Sequence, residues 1–326
     1  MKTAILTLTL ILGSPAFASA PAGDLSAWVA AQGGSVTRDS SGRLVGVSLR
    51  GTWITDTDLD AFTRMPNLRA LDLSETHITD LGMERLKPLA NVTDLNLYYC
   101  EHVTDGGIAH LKGWKKLQHL NLRGTKITDT ALEHLSGLTS LTSLDVGYAM
   151  ITNNGLDLLT GLTNLKELAI GGNKLSDSGL QFLKSLPGIT KLDLGGAQRT
   201  DSGLWSATIT DQGLDAVVSL VHLEELNLDG TRISDLGLAK LKSLAELRVL
   251  DLSRTQISAR GLESLASLKK LERLSLYGAK KIDDKALPIL KGMPQLQFVD
   301  LAETGVKTPT LVGWMRLPDR AVNSVR

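Results

Sequence analysis

The stretch Leu68-x-x-Leu71-x-Leu73-x-x-Thr76-x-Ile78-Thr79-Asp80-x-Gly82-Met83-x-x-Leu86-x-x-Leu89 carries two periods within one short segment. Leu71-x-Leu73 alternates every two residues, as a strand with one buried face does. Met83, Leu86 and Leu89 recur at three, which is the face of a short helix. Thr79-Asp80 lies between them and offers side-chain oxygens to the free N–H groups of a helix start. The segment therefore reads as strand, turn, short helix. Such a unit cannot bury its apolar side alone.

The same pattern restarts at Leu44, Leu68, Val92, Leu117, Leu141, Leu165, Ile189, Leu223, Leu247, Leu271 and Leu296. Successive spacings are 24, 24, 25, 24, 24, 24, 34, 24, 24 and 25 residues, so the chain is a repeat array of eleven units. Stacked units share one continuous core. Their strands, about 4.8 Å apart, line the inner curve, and the bulkier helices take the outer one. The expected fold is an α/β solenoid, a horseshoe with parallel strands on its concave face and short helices on its convex face. The repeats span 44–305, with an insertion at 198–208.

These residues carry a family resemblance. The pattern resembles the leucine-rich repeat superfamily in a bacterial 24-residue form, and Ile78-Thr79-Asp80-x-Gly82-Met83 is similar to the GALA-type and cysteine-containing subclasses. The resemblance implies binding of a protein or another ligand on the concave face. GALA-type and cysteine-containing relatives often carry an F-box for ubiquitin-ligase assembly, a more remote implication. Only about 25 residues separate the expected cleavage site from the first repeat, too few for that module.

Composition agrees with one long solenoid. Of the 326 residues 62 are Leu, and 35 basic side chains balance 35 acidic ones. Zero net charge gives no electrostatic reason to expect nucleic acid or an anionic membrane as partner. One Cys excludes an internal disulfide framework. Residues 1–18 read as a secretory signal peptide, with Lys2, an apolar run from Ala4 to Gly13 and small residues ending at Ala18. That run is too short to span a bilayer. The mature chain is expected to be exported, periplasmic or secreted, monomeric and not membrane-spanning. Residues 19–43 should cap the first repeat with a helix carrying Leu25, Trp28 and Val29, followed by a hairpin. Residues 306–326, with Pro309, Leu311, Val312, Trp314, Met315 and Leu317, should cap the last.

Catalytic motifs are missing: there is no G-x-S-x-G elbow, Walker A loop, dinucleotide glycine fingerprint or H-E-x-x-H. No enzyme, cofactor or metal site is expected. His77 and His102 stack in adjacent repeats but lack the further ligands a zinc site needs. Cys100 shares a small-residue slot with Thr76, Thr125 and Ala149 and should be buried and inert. The column Asp72, Asn96, Asn121, Asp145 is expected to form a lateral hydrogen-bonded ladder.

The candidate binding residues are aromatic. All four tyrosines, Tyr98, Tyr99, Tyr148 and Tyr277, directly follow a strand. Tyr99 and Tyr148 share a column two repeats apart, about 10 Å by strand spacing, and Gly124 is expected to leave open space between them. Arg123 lies beside them, and Trp53 and His77 one column further on. Tyr, Trp and Arg dominate interface hot spots. Trp205 rides on the insertion, expected to project as a loop whose Thr200-Asp201-Ser202-Gly203-Leu204 resembles a second helix start. A protein or peptide is the expected ligand. The alternative is a carbohydrate or envelope polymer, its rings stacked on Tyr and Trp.

Overall fold

The computed structural model describes residues 24–200, 203–307 and 314–316. The signal segment 1–18 lies outside them, as do Pro309, Leu311, Val312 and Leu317. Strands β2 (Leu44–Ser48), β3 (Ala70–Asp72), β4 (Asp94–Asn96), β5 (His119–Asn121), β6 (Ser143–Asp145), β7 (Glu167–Ala169) and β8 (Lys191–Asp193) pair in parallel, each with the next. An antiparallel hairpin, β9 (Ala197–Thr200) and β10 (Gly203–Ser206), interrupts the series. The sheet continues from β8 to β11 (Glu225–Asn227), β12 (Val249–Asp251), β13 (Arg273–Ser275) and β14 (Phe298–Asp300). Antiparallel strands close both ends: β1 (Ser35–Arg38) on β2, and β15 (Trp314–Arg316) on β14. Helix α1 (Leu25–Ala31) packs Trp28 and Val29 into the first repeat.

Register follows from the 24-residue period. Leu71, Leu95, Leu120, Leu144, Leu168 and Leu192 align across neighbouring strands, and each is at most 2% exposed. Burying each such side chain stabilises the fold by about 1.5–3 kcal/mol. Flanking strand residues point to the concave side. The convex elements are short α or 3-10 turns, such as Asp80–Leu86, Asp129–Leu135 and Asp177–Ser185.

The Thr-Asp pair does more than start a helix. Thr79, Thr104 and Thr128 each cap their own helix through the hydroxyl. The Asp reaches into the next repeat instead. Asp80 accepts the backbone N–H of Thr104 at 2.8 Å and its hydroxyl at 2.6 Å. The same double bond joins Asp56 to Thr79, Asp105 to Thr128, Asp177 to Thr210 and Asp235 to Ser258. The helix-side ladder of the solenoid is thus built from side chains where the concave side uses a sheet.

The expected Asp/Asn ladder on the concave side takes another form. Asn96, Asn121, Asp145 and Asp193 each accept the N–H two residues on in their own chain segment, closing the turn that leaves the strand. A backbone donor sits nearer to each oxygen than the neighbouring side chain does, so the local bond wins. Lateral bonding survives at Ser48, whose hydroxyl donates to Asp72 at 3.0 Å.

Candidate binding surface

Each turn leaving a strand requires one residue in the left-handed region. That position is Gly51, Glu75, Tyr99, Gly124, Tyr148, Gly172, Gly196, Gly230, Arg254, Gly278 and Glu303 in successive repeats, all at positive φ. Glycine adopts this conformation freely, whereas a residue with a Cβ costs roughly 1–2 kcal/mol there. Tyr99 and Tyr148 both sit at φ 52°. Their side chains lean over the next repeat, where glycine gives them a seat. A Cβ at Gly124 would lie 3.0 Å from the Tyr99 ring, and one at Gly172 would lie 2.8 Å from Cγ of Tyr148. Gly124 is therefore the floor beneath Tyr99 and not open space between two tyrosines.

Arg123 stands at the centre of the concave side. Its Nη1 lies 3.3 Å from Asp193 Oδ2 and 3.6 Å from Asp145 Oδ2, and its Cζ lies 4.4 Å from the Tyr148 ring centroid. Ala169, on the strand between the two aspartates, leaves room for this reach. Burial pushes the carboxyls of Asp145 and Asp193 above their ordinary pKa, an effect that Arg123 and the N–H groups of Gly147 and Gly195 oppose. Beside them Lys191 lies between Glu167 and Glu225, at 3.3 and 3.4 Å. Two shallow hollows run over the strands, of about 470 and 370 Å³, one along β1 to β6 and one along β6 to β12. This charge network was missed from sequence, although Asp145 and Asp193 lie 48 residues apart in one concave column and Glu167 and Lys191 lie 24 apart in another. The arrangement can accept polar and charged ligand groups. It brings together no nucleophile and base, and among the described residues no three His, Cys, Asp or Glu side chains could share a metal ion.

A second group sits on the rim of the first repeats. Trp53 is 71% exposed and stacks on His77, with centroids 5.1 Å apart and an interplanar angle of 7°. His77 lies 6.0 Å from His102. Tyr98 and Tyr99 meet edge to face at 4.6 Å. His77, His102, Tyr98 and Tyr99, with Glu75, Thr76 and Glu101, border a hollow of about 470 Å³. The sequence-predicted residues thus divide into two clusters, Arg123 with Tyr148 and the rim set Trp53, His77, Tyr98 and Tyr99. Tyr277 joins neither; it is exposed on the turn beyond β13.

Comparison with known proteins agrees with this geometry. One family model described as "Leucine rich repeat" matches residues 43–101 and 221–279, and a second "Leucine Rich repeat" model matches 115–136 and 161–184, together about half of the chain. The chain belongs to the leucine-rich repeat family. An internalin, inlF of Listeria monocytogenes, is similar in fold at a TM-score of 0.52 and 19% identity, covering 82% of this chain and 86% of that one. The leucine-rich repeat ectodomain of the Arabidopsis receptor kinase HAESA, solved with an IDA peptide hormone, matches at a TM-score of 0.55 and 16% identity, over 83% of this chain and 48% of that one. These likenesses establish the fold. No curated protein matched the sequence.

Two features of this leucine-rich repeat chain remain. The insertion is a hairpin and does not project as a free loop: Gln198 Nε2 donates to the carbonyls of Ala149 and Gly172, at 2.6 and 3.1 Å, tying it back across two earlier repeats. Trp205 is half-buried there, with Lys174 Nζ 6.0 Å from its ring. The turn leading into helix Leu214–Val217 begins at Thr210-Asp211, where Asp177 of the preceding repeat finds its partner, whereas Thr200, Gly203 and Leu204 belong to the hairpin strands. Cys100 is fully buried, and its thiol donates to the Leu73 carbonyl at 3.0 Å. Thr76 and Thr125 fill the equivalent slot but donate to the carbonyl three residues back in their own repeat, whereas Cys100 reaches the preceding one. Burial pushes the Cys100 thiol pKa up.

Proposed function

We propose that this chain is an exported, monomeric, non-catalytic leucine-rich repeat scaffold that binds a protein or peptide on its concave face. One observation carries the reading: Tyr148 is held in a left-handed conformation that most repeats reserve for glycine, with Arg123 stacked on its ring. Stacking of repeats does not need this residue. Backbone strain persists where surrounding structure maintains it for another purpose, and Tyr and Arg are the side chains that anchor interfaces. The receptor-kinase ectodomain offers an analogy of fold, a repeat solenoid solved with a peptide. Among the described residues no helix is long and apolar enough to cross a membrane. Trp53, largely exposed and stacked on His77, favours a second reading, in which a sugar ring of an envelope polymer docks there.

Capture from a cell-envelope extract tests the proposal, using the wild type, Tyr148→Ala and the convex variant Leu81→Ala. A protein partner lost with Tyr148→Ala and kept with Leu81→Ala supports it. Retention on cell-wall polysaccharide that depends on Trp53 supports the second reading. Loss with Leu81→Ala alone moves the interface to the helices and overturns both. Export is checked by sequencing the recovered N-terminus, expected at Ser19 or Pro21; an intact Met1 ends that part of the reading.

A further inference from the structure

Along the column of left-handed residues, glycine separates the larger residues from one another with one exception. Glu75 and Tyr99 are the only consecutive repeats that both forgo glycine, at φ 57° and 52°. Both line the same rim hollow, with Tyr98, His77, Glu101 and His102. We propose that this hollow is a binding site for a peptide guanidinium, an arginine side chain presented by the partner.

The lining argues for that chemistry. It offers four ring systems and two carboxylates, of which Glu75 is already paired with Arg50 outside the lining and Glu101 is the one left to meet a ligand cation. A guanidinium is planar and weakly hydrated, stacks on aromatic faces and pairs with carboxylates. The edge-to-face Tyr98–Tyr99 pair and the His77–His102 pair supply faces on two sides. Glu75 already shows the pairing, since its Oε1 accepts from the Arg50 guanidinium at 2.8 Å. Glu101 also lines the hollow and is exposed. A volume near 470 Å³ has room for one long side chain but not for a folded segment. Peptide backbone running from the concave face could therefore place a single arginine over this edge.

The inference rests on the reading of the chain as a peptide-binding scaffold, but it is tested separately. The probes are acetyl-Gly-Arg-Gly-amide, its citrulline analogue, which keeps the shape and removes the charge, and a chitin trisaccharide. Ring signals of His77, His102, Tyr98 and Tyr99 are followed by NMR during titration into the full chain. The arginine peptide should shift them saturably, and the citrulline peptide should bind at least tenfold more weakly. Glu101→Gln, a change at an exposed side chain, should weaken the arginine peptide at least fivefold, while Leu81→Ala leaves it unchanged. Equal binding of both peptides, indifference to Glu101→Gln, or a preference of these rings for the trisaccharide would overturn the assignment. If it fails while Tyr148→Ala still abolishes partner capture, only the arginine site is lost.

Discussion

Asp129 and Thr152, 23 residues apart, are joined twice: the carboxylate accepts the Thr152 backbone N–H at 2.8 Å and its hydroxyl at 2.6 Å. The contact has a steric counterpart three residues on, because a Cβ at Gly155 would lie 2.6 Å from Asp129 Oδ1. The Thr-Asp-x-Gly signature is thus a tongue and a slot, with Asp the tongue of one repeat and Thr plus Gly the slot of the next. Hydrogen bonds to charged acceptors contribute about 1.5–3 kcal/mol. Asp129→Ala should therefore lower unfolding free energy by about 2 kcal/mol in urea titration. A variant as stable as wild type would show that the sheet alone sets the stacking.

Tyr148 and Gly172 form a second interlocked pair. Gly172→Ala places a Cβ in the left-handed region and against the Tyr148 ring, and should cost about 2–3 kcal/mol. Tyr148→Ala empties that space. In the double variant only the backbone penalty at position 172 remains, so the two changes should be less than additive by about 1 kcal/mol. Strict additivity in a thermal double-mutant cycle would mean the ring does not rest on Gly172 in solution.

How much of this was legible in sequence depends on the range of each interaction. The Leu71–Leu95–Leu120 row was readable, because burial imposes a period that any strand must obey. The tyrosine seats were not: reading Gly124 as a floor requires knowing that the residue before it in space, Tyr99, takes a left-handed φ. Asp80 was assigned to its own helix because a cap is the local use of that residue, whereas its partner Thr104 lies one repeat away. Arg123 was noticed for its type, yet its contact with Asp193 spans 70 residues and skips Ala169. The column of Asp and Asn was visible, but a local N–H outcompetes the lateral neighbour only once turn geometry is known.

Cys100 offers a conservative exchange that the slot itself specifies. Thr76 and Thr125 occupy the equivalent position and donate to the carbonyl three residues back, which for position 100 is Leu97. Cys100→Thr should therefore exchange one carbonyl partner for another and change stability by less than about 1 kcal/mol. The native thiol is buried and its pKa is raised by desolvation. It should react with a thiol reagent only as fast as the protein opens. Rapid stoichiometric labelling of native protein would refute this.

The paired aspartates give a pH signature of definite sign. Burial raises the folded-state pKa of Asp145 and Asp193 above the ordinary 3.8. The folded state then holds these protons more tightly than the unfolded chain. Their contribution to stability is present at low pH and is lost as pH rises from 3.8 through the raised values. Asp193→Asn removes one of them. The melting temperature of the wild type relative to this variant should fall as pH rises above 3.8. A difference that instead grows with pH would mean that Arg123 outweighs burial and holds the pair ionised.

The separation of binding from packing is sharpest between Tyr99 and Leu97. Leu97 is fully buried, and Leu97→Ala should lose about 2–5 kcal/mol by leaving a cavity in the shared core. Tyr99 is 40% exposed and held over Gly124 at a conformational cost. Its replacement by Ala removes ring contacts and keeps the strained φ, so stability should change by no more than about 1 kcal/mol. Partner affinity should behave in the reverse order. Loss of an anchoring tyrosine costs about 2 kcal/mol or more, some thirtyfold in Kd, whereas Leu97 touches no ligand. Calorimetric melts and binding titrations on the same two proteins decide the point. Should Tyr99→Ala melt as early as Leu97→Ala while binding stays intact, the tyrosines would be packing residues. The binding site would then lie at the hairpin that carries Trp205.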